Sequence, residues 1–570
     1  MLKKFIQKNW FPLILAAAFA LAGSLPYLYA YTIETSGSHF MGFVGRGVFG
    51  HNGYLMFARQ AQAGRHLLEN LLAPEPLPRV FFNLEWWLFG KMARWTGLSL
   101  VATFQVWRVA TCFLFALSIM YLLRQCLATE FQRRFALALI MLGSGFGWII
   151  LATSRLLIRL LPAARNWAHD STPAGVLFKD VLMPLPPDVA GVSAPAYLVI
   201  QPHFMMAVAF AALTCAFLIK AVQTDKTRYY LFTGLAALAH SIVRPYNIPE
   251  MYLIFSLYPA LLWARGRRLN ARTVAGDRRL NARIVAGGAM AGAVVVPMVA
   301  YYAWLAHTGA LGGTGPAWEP WSFFQHILWL GLPFVLALPA LCGLVRLRKT
   351  DPALLLMGLW LVLAFLIEQS YPWYKSGQEA AFPAYVVAPV VLATAGPFRS
   401  IYRWLRRRYP SPAFKQVAAA LLILLSMPSF LVAYRRMFTD LEAHPAPYYI
   451  SADLHAALLW LEQNAQKNDT VLASFETGQL VPRLAGVKSF QGHYMITPNA
   501  PEKRALAERF YGTRGDNQFK LSLTRQYNIR YVICSPLERR PAGFTPADHP
   551  WLQQVFSRGD VQIFRVAPES

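Results

Sequence analysis

The chain has 570 residues, of which 56% are hydrophobic and only 14% are charged, and its mean hydropathy is +0.35. This composition excludes an ordinary soluble protein for most of the chain and indicates a polytopic membrane protein. The formal net charge is +26. Anionic lipid headgroups explain this charge better than nucleic acid does, because the segment from residue 435 onward is nearly balanced.

Apolar runs long enough to cross a bilayer recur over the first three quarters of the chain. A membrane-spanning helix needs about 20 apolar residues, and the pattern predicts about 11 such helices. The runs are Phe11–Tyr31, Phe104–Leu123, Phe135–Leu151, Phe204–Val222, Tyr230–Val243, Met251–Trp263, Ile284–Trp304, Phe323–Val345, Ala353–Leu366, Tyr385–Phe398 and Val417–Tyr434.

Basic residues in the loops predict the orientation of these spans. Lysines precede the first span, and Arg133, Arg134, Arg346 and Arg348 follow even-numbered spans. Because cytoplasmic loops hold Lys and Arg in excess, we expect a cytoplasmic amino terminus. An odd number of spans then places everything after residue 434 outside the cytoplasm, together with the two long loops 32–103 and 152–203.

The first external loop contains the segment "GHNGYLMFARQAQAG", residues 50–64. Its apolar and polar residues fall on opposite sides of a helix, which predicts a helix lying flat along an interface. The apolar stripe consists of Leu55, Phe57, Ala58 and Ala61, and the polar side consists of Arg59, Gln60 and Gln62.

The end of the chain changes to short alternating elements. An amphipathic helix begins at Ser451, a suitable N-cap, and the strands "TVLASF", "IRYVICS" and "VQIFRV" follow. We therefore predict a transmembrane domain over residues 1–434 and an extracytoplasmic α/β domain over residues 435–570. Glu476, His493 and Glu538 lie in loops of this second domain without a recognisable nucleophile and base, which favours an accessory role.

These features together resemble the GT-C superfamily of integral membrane glycosyltransferases. The segments that carry the resemblance are "GYLMFARQAQAG", "GSGFGW" at Gly143–Trp148, "QPHF" at Gln201–Phe204, and the external tail from "WLEQN" to "RYVICSPLER". The resemblance covers nearly the whole chain. It implies an α-helical polytopic fold with an external α/β domain in a bacterial inner membrane, a polyprenyl-phosphate sugar as donor, and an envelope glycan, lipid or protein as acceptor on the outer face.

The resemblance also implies an acidic general base in the first external loop. An acceptor hydroxyl must lose its proton as it attacks the anomeric carbon, and a carboxylate can accept that proton. This chain reads His51-Asn52 where such enzymes usually place an aspartate. The candidate catalytic residues are therefore Glu34, just after the first span, and His51, because imidazole titrates near neutral pH. The alternatives are an interfacial position for Glu34 and a capping or packing role for His51 and Asn52.

A departing lipid phosphate needs a cation beside it. Arg244 and His240 lie at the predicted outer end of the short fifth span, where two prolines interrupt the helix, and ionisable groups at membrane depth usually face a cavity. His203 and Lys375 are further candidates for binding the lipid phosphate. For each of these residues, snorkelling of the side chain to the interface is the alternative interpretation.

Three aspartates of the second external loop, Asp170, Asp180 and Asp188, are candidates for a second carboxylate or for a divalent-ion site. Their surroundings are rich in proline, so a solvated loop is the alternative. The sequence contains no CxxC or HExxH pattern and no glycine-rich phosphate loop. It therefore requires no metal ion, and direct use of ATP is not expected.

A non-enzymatic function is the main alternative to a glycosyltransferase. A non-catalytic binder of lipid-linked saccharides fits the missing aspartate, and a carrier or flippase would also have many spans and buried cations. The long first loop and the external α/β domain favour the transferase. No nucleic-acid partner is expected.

Overall fold

The computed structural model describes residues 2–45, 48–160, 194–269, 274–310, 320–344, 351–370, 373, 377–408, 412–444, 446, 448–512, 516–539 and 544–567. The chain divides into two compact units, which are described separately. The first comprises Met1–Gly23, Arg108–Val299 and Ala317–Arg436, and the second comprises Ser24–Trp107, Ala300–Pro316 and Met437–Ser570. The predicted domain division at residue 434 stays a prediction.

Helices dominate the described chain up to residue 442. In chain order they are α1 (Leu2–Thr32), α2 (Val48–Gln62), α3 (Leu84–Thr96), α4 (Leu100–Cys126), α5 (Glu130–Leu142), α6 (Gly147–Leu160), α7 (Ala194–Ile200), α8 (Pro202–Thr224), α9 (Thr227–Val243), α10 (Ile248–Leu269), α11 (Val274–Thr308), α12 (Phe323–Leu344), α13 (Pro352–Gln369), α14 (Gly377–Ala395), α15 (Pro397–Arg408), α16 (Pro412–Ser426) and α17 (Pro428–Glu442).

Within the described residues, seven helices are long and apolar enough to cross a membrane, or nine if two bent helix pairs each count as one span. Every one of the predicted apolar runs overlaps a described helix or bent pair. The number of spans is lower than the predicted eleven because α9 has only 17 residues and because α10 carries Glu250 near its start and arginines near its end. The prediction of an α-helical multi-pass membrane protein is confirmed.

Local signals in the sequence fix where several of these helices begin. Thr129 and Gln132 form a capping box at the start of α5, in which each side chain binds the main-chain N–H of the other. The carboxylate of Asp351 accepts the N–H of Ala353 at 2.9 Å, and Pro352 starts α13 without losing a helical hydrogen bond. Pro202 starts α8 in the same way.

Three interruptions of long apolar helices meet in the first unit. Helices α5 and α6 are bent by 49°, α16 and α17 by 48°, and Gly331 breaks α12 with φ 68°. Main-chain groups freed at one break bind those of another: the N–H of Ser144 donates to Ser426 O at 2.6 Å, and the N–H of Phe146 donates to Leu328 O at 2.6 Å. Mutual bonding of this kind lets irregular backbone persist inside an apolar environment.

The second unit begins with the end of α1 and the segment that follows it up to Trp107. Strand β1 (Ser38–Phe40) pairs antiparallel with β2 (Tyr449–Ser451). Helix α2 packs so closely on α3 that a Cβ at Gly90 would collide with the carbonyl oxygen of Ala58. The prediction of a helix in residues 50–64 is confirmed by α2, and its placement along an interface stays a prediction. Gln60, on the expected polar side, is buried because it binds the main chain of Glu69 at 2.8 and 3.0 Å.

A small α/β layer completes the second unit. Its elements are α18 (Ala452–Asn464), β3 (Thr470–Leu472), α19 (Phe475–Gly478), a π-helical turn (Val481–Ala485), β4 (Lys488–Ser489), α20 (Ala500–Gly512), α21 (Asn517–Gln526), β5 (Ile529–Cys534), β6 (Leu552–Arg558) and β7 (Val561–Val566). The sheet order is β4-β3-β5-β7-β6. Strands β4, β3 and β5 are parallel, whereas β5, β7 and β6 are antiparallel.

The predicted elements of this layer are confirmed. Ser451 caps α18 and accepts the N–H of Leu454 at 3.1 Å, and strands β3, β5 and β7 lie in the three predicted segments. Helices α20 and α21 and strand β6 were not predicted, because their sequences are more polar and less periodic.

Candidate functional site

Arg244 lies at the junction of two helices of the first unit. It follows the last residue of α9 in an extended conformation and is only 4% exposed. Its guanidinium carbon lies 3.9 Å from the centre of the Phe204 ring. Because Phe204 is in the first turn of α8, the structure brings the end of α9 next to the start of α8.

Two predicted histidines lie at the same helix ends. His203 precedes Phe204, and the carbonyl of His240 accepts the N–H of Arg244 at 2.8 Å; both histidines are buried. A helix N-terminus carries a partial positive charge, to which Arg244 adds a full one. Three of the four residues predicted to bind a lipid phosphate therefore lie in one neighbourhood whose charge suits an anion. The fourth, Lys375, lies outside the described residues.

A buried carboxylate follows this junction. Glu250, in the first turn of α10, is fully buried and accepts hydrogen bonds from Trp360 Nε1 at 3.0 Å and from Asn247 Nδ2 at 3.3 Å. Asn247 also donates to the carbonyl of Ala380 in α14. The loop after Arg244 is thereby fixed to both α13 and α14.

A second buried carboxylate lies between three helices. Glu368 of α13 approaches His326 of α12, with 2.7 Å between Oε2 and the imidazole Nε2, and it accepts the phenolic hydrogen of Tyr385 of α14. Its other oxygen accepts the N–H of Trp321 at 2.9 Å. His326 Nε2 also lies 3.1 Å from the Tyr385 hydroxyl oxygen. We refer to Glu368, His326 and Tyr385 as the carboxylate cluster.

A cavity of about 40 Å³ lies beside this cluster, where the helix interruptions meet. Its lining includes Tyr385, Trp329 and the turn formed by Gly143, Ser144 and Gly145. This volume is enough for one or a few water-sized groups but not for a sugar ring.

The residues found in place of the expected aspartate are buried in the second unit. His51 is 2% exposed, and its ring stacks on Phe43 with 4.7 Å between ring centres. The side-chain oxygen of Asn52 accepts a hydrogen bond from Arg483 at 2.8 Å. Arg483 also donates to Met41 O at 2.6 Å, and burial lowers the pKa of its guanidinium. This environment is typical of packing residues.

Glu34 lies in the turn after α1 and is only partly buried. Its carboxylate is 3.2 Å from His39 Nδ1, and its side chain is 25% exposed. Of the two predicted catalytic residues, Glu34 is the one that retains access to solvent. Its role as a base stays a prediction.

The second-loop candidates Asp170, Asp180 and Asp188 lie outside the described residues. Within the part of the chain that is described, no group of three or more His, Cys, Asp and Glu side chains is placed to hold a metal ion.

Two candidates of the C-terminal layer have structural partners. Glu538 accepts the main-chain N–H groups of Ser474 at 2.9 Å and Ser535 at 3.1 Å, which links the ends of two parallel strands. His493 is buried, and burial lowers its pKa to about 4.

Sequence reasoning missed the carboxylate cluster and Glu250. A signal was present, because Glu368 and His326 are ionisable residues at the edges of strongly apolar runs, and such residues are functional candidates by default. Their proximity was not predictable, since the three residues of the cluster are 17 to 59 positions apart in the sequence.

No protein-family model matches the sequence, and no curated protein matches it either. Solved structures do match its fold. The oligosaccharyltransferase AglB from Archaeoglobus fulgidus, in complex with an inhibitory peptide and a dolichol-phosphate, has a TM-score of 0.51 at 11% identity, covering 93% of this chain and 69% of that chain.

Two further structures have similar identities. The Archaeoglobus fulgidus oligosaccharyltransferase tethered with an acceptor peptide has a TM-score of 0.52 at 12% identity, covering 93% of this chain and 70% of that chain. ArnT from Cupriavidus metallidurans bound to undecaprenyl phosphate has a TM-score of 0.47 at 12% identity, covering 98% of this chain and 100% of that chain. The likeness to the oligosaccharyltransferase establishes the fold, and the predicted GT-C fold is confirmed.

Proposed function

We propose that this chain is a membrane glycosyltransferase that moves a sugar from a polyprenyl-phosphate donor to an envelope acceptor. The observation that carries the proposal is the buried Arg244, which follows α9 and packs beside the start of α8, in a chain with the fold of a lipid-dependent transferase. The archaeal oligosaccharyltransferase was solved with a dolichol-phosphate, which supports a polyprenyl phosphate as the lipid here.

The chemistry of the Arg244 neighbourhood supports a role for it on the leaving-group side of the reaction. When the bond between the anomeric carbon and the phosphate oxygen breaks, the phosphate gains negative charge. A buried cation stabilises that charge more strongly than an exposed one would. We propose that Arg244 contacts the phosphate, that His240 and His203 add donors, and that Lys375 is a further contact.

The proton of the acceptor hydroxyl also needs a base. Glu34 and His51 remain the candidates from the sequence. The partial exposure of Glu34 favours it over His51, whose ring is stacked on Phe43. The aspartates Asp170, Asp180 and Asp188 remain candidates for a second carboxylate or a divalent-ion site.

We further propose a bacterial inner-membrane location with a cytoplasmic amino terminus. The excess of Lys and Arg in the loops that follow the even-numbered predicted spans supports this orientation. The C-terminal α/β layer, the end of α9 and the carboxylate cluster would then all lie on the extracytoplasmic side.

Native mass spectrometry with added undecaprenyl phosphate tests the proposal. We expect an adduct on the purified protein, and we expect Arg244→Ala to weaken its affinity at least tenfold, since a hydrogen bond to a charged group contributes about 1.5–3 kcal/mol. Arg228→Ala is the matched control, because Arg228 is an exposed arginine in the first turn of α9, the helix that Arg244 follows. Equal adducts on all three proteins, or none on the parent, would contradict the proposal.

A non-catalytic binder or carrier of lipid-linked saccharides is the second candidate function. The observation that favours it is the neutral Asn52, which stands where an aspartate was expected and accepts a hydrogen bond from Arg483. If the parent protein and Glu34→Gln both bind the lipid and neither transfers a sugar under the same conditions, this candidate is supported over the transferase.

A further inference from the structure

His326 and Glu368 of the carboxylate cluster share one proton. The carbonyl oxygen of Ser322 lies 2.9 Å from His326 Nδ1, and because a carbonyl can only accept, Nδ1 carries a hydrogen. The 2.7 Å contact between His326 Nε2 and Glu368 then requires a second proton on one of these two atoms. The pair is neutral overall in either form, as imidazolium with carboxylate or as imidazole with carboxylic acid.

Aromatic rings surround this pair and separate it from water. His326 is flanked by Phe334, Phe365 and Trp321, with 5.5 to 5.9 Å between ring centres, and both His326 and Glu368 are fully buried. Ionisable side chains are expensive at such positions. Hydrogen bonds that only hold three helices together do not need ionisable side chains, because neutral amide and hydroxyl groups form such bonds with a smaller free-energy cost of burial.

Helix α14 connects the cluster to the Arg244 neighbourhood within the first unit. Phe382 lies one turn before Tyr385, so both point to the same side of the helix. The Phe382 ring packs edge-on against Phe204 at 5.6 Å between centres, and Phe204 underlies Arg244. One turn of α14 therefore separates Phe382, which packs next to the Arg244 neighbourhood, from Tyr385, which carries the hydroxyl of the cluster.

Of the three cluster residues, Tyr385 lines the cavity of about 40 Å³, which has room for a hydroxyl group or for a water that relays a proton. Inside, its hydroxyl binds Glu368. A proton that arrives at the Tyr385 oxygen can therefore pass inward while the original phenolic proton moves to the carboxylate.

Building on the proposed transferase function, we propose that the carboxylate cluster, in place of Glu34 or His51, accepts the proton of the acceptor hydroxyl, with Tyr385 as the catalytic residue and with Glu368 and His326 as positioning residues. The acceptor oxygen forms the bond to the anomeric carbon, and the carbon–phosphate oxygen bond breaks with its electron pair remaining on the phosphate. The acceptor proton moves to Tyr385, directly or through one water, and the phenolic proton moves to Glu368. The cluster becomes positive as the phosphate becomes more negative, so the two charge changes offset each other.

Tyr385→Phe and Glu368→Gln test this step, because each keeps the shape of the side chain. The assay follows release of polyprenyl phosphate from a synthetic polyprenyl-phosphate hexose or pentose, with an envelope extract as acceptor. Undecaprenyl phosphate affinity is measured on the same samples. Tyr258→Phe is the matched control, since Tyr258 is a buried tyrosine of the same unit whose hydroxyl donates to Pro352 O at 3.1 Å.

We expect both cluster variants to lower kcat about 100-fold or more, as loss of a general base does, with undecaprenyl phosphate affinity within twofold of the parent. We also expect the acidic limb of the pH–rate profile to move in Glu368→Gln, an effect that a purely structural role would not produce. Tyr258→Phe should retain normal turnover.

Three results would overturn this inference. Full turnover by Tyr385→Phe, together with loss of turnover in Glu34→Gln, would assign the proton to Glu34 and leave the transferase function intact. Parallel loss of lipid affinity and thermal stability in both cluster variants would make the cluster a structural tie only. A parent protein that binds undecaprenyl phosphate but releases none from either donor would overturn the transferase function itself, and this step with it.

Discussion

The buried His493 should make the protein lose stability as the pH falls below neutral. Its Nδ1 accepts the main-chain N–H groups of Met495 at 3.0 Å and Ile496 at 3.3 Å. Protonation of Nδ1 would break both bonds and place a charge in a buried position. Burial accordingly lowers the pKa of His493 from 6.5 to about 4.

The sign and size of the effect follow from proton linkage. Between pH 6.5 and about 4 the unfolded chain binds a proton at this position and the folded chain does not, so the free energy of unfolding decreases as pH falls through this range. The difference between the two pKa values corresponds to about 3 kcal/mol, all of which is lost near the lower pKa. Above pH 6.5 the contribution should be constant.

Denaturant unfolding in detergent, followed by tryptophan fluorescence between pH 7 and pH 4, measures this effect. Many groups titrate in this range, so the informative quantity is the difference between the parent and His493→Gln. We expect that difference to change by about 3 kcal/mol, because the parent loses stability that the variant does not. His307→Gln, which replaces an exposed histidine of the same unit, should follow the parent. Identical pH dependence of the parent and His493→Gln would refute the assignment of a neutral, buried imidazole.

Two further substitutions, one in each unit, test the packing. Arg483→Met should lower the free energy of unfolding by about 3 kcal/mol, since it removes the two hydrogen bonds that a buried cation donates. Arg504→Met, at an exposed position, should change it by less than about 0.5 kcal/mol, and equal effects of the two substitutions in denaturant unfolding would contradict this prediction. Gly145→Ala should reduce the yield of folded, monodisperse protein, because its Cβ would collide with the carbonyl oxygen of Leu328. Gly343→Ala, where a Cβ meets no atom within 4 Å, should express normally, and normal yields of both variants would argue against the close contact.

The membrane helices and the central strands could be predicted from the sequence because their signals are local. Runs of apolar residues identify spans wherever they occur, and Ser451 marks a helix start by its own chemistry. The placement of α2 was not predictable in the same way. Its amphipathic pattern correctly indicated a helix, but the burial of Gln60 depends on an internal partner, the main chain of Glu69, which a helical pattern does not reveal.

The candidate site was predictable only where charge was conspicuous. Arg244, His240 and His203 stood out as ionisable groups beside apolar runs, and the structure brings Arg244 and the start of α8 together. The carboxylate cluster was missed because its members are unremarkable singly and acquire their chemistry from one another. Tyr385 in particular is one of many tyrosines, and only its contact with Glu368 distinguishes it.

The interlocked helix interruptions have a consequence for biosynthesis. The main-chain groups freed near Ser144 are satisfied by Ser426, which is synthesised 282 residues later, and an unsatisfied main-chain group in lipid costs several kcal/mol. The early bent pair of α5 and α6 therefore cannot settle in the bilayer as a finished span when it leaves the insertion machinery. It must wait at the interface, or be shielded by other proteins, until α16 and α17 arrive. The order in which these spans are synthesised thus differs from the order in which their main-chain hydrogen bonds are completed. In a chain shortened before Ser426, we expect quality-control proteases to recognise the unsatisfied α5 and α6.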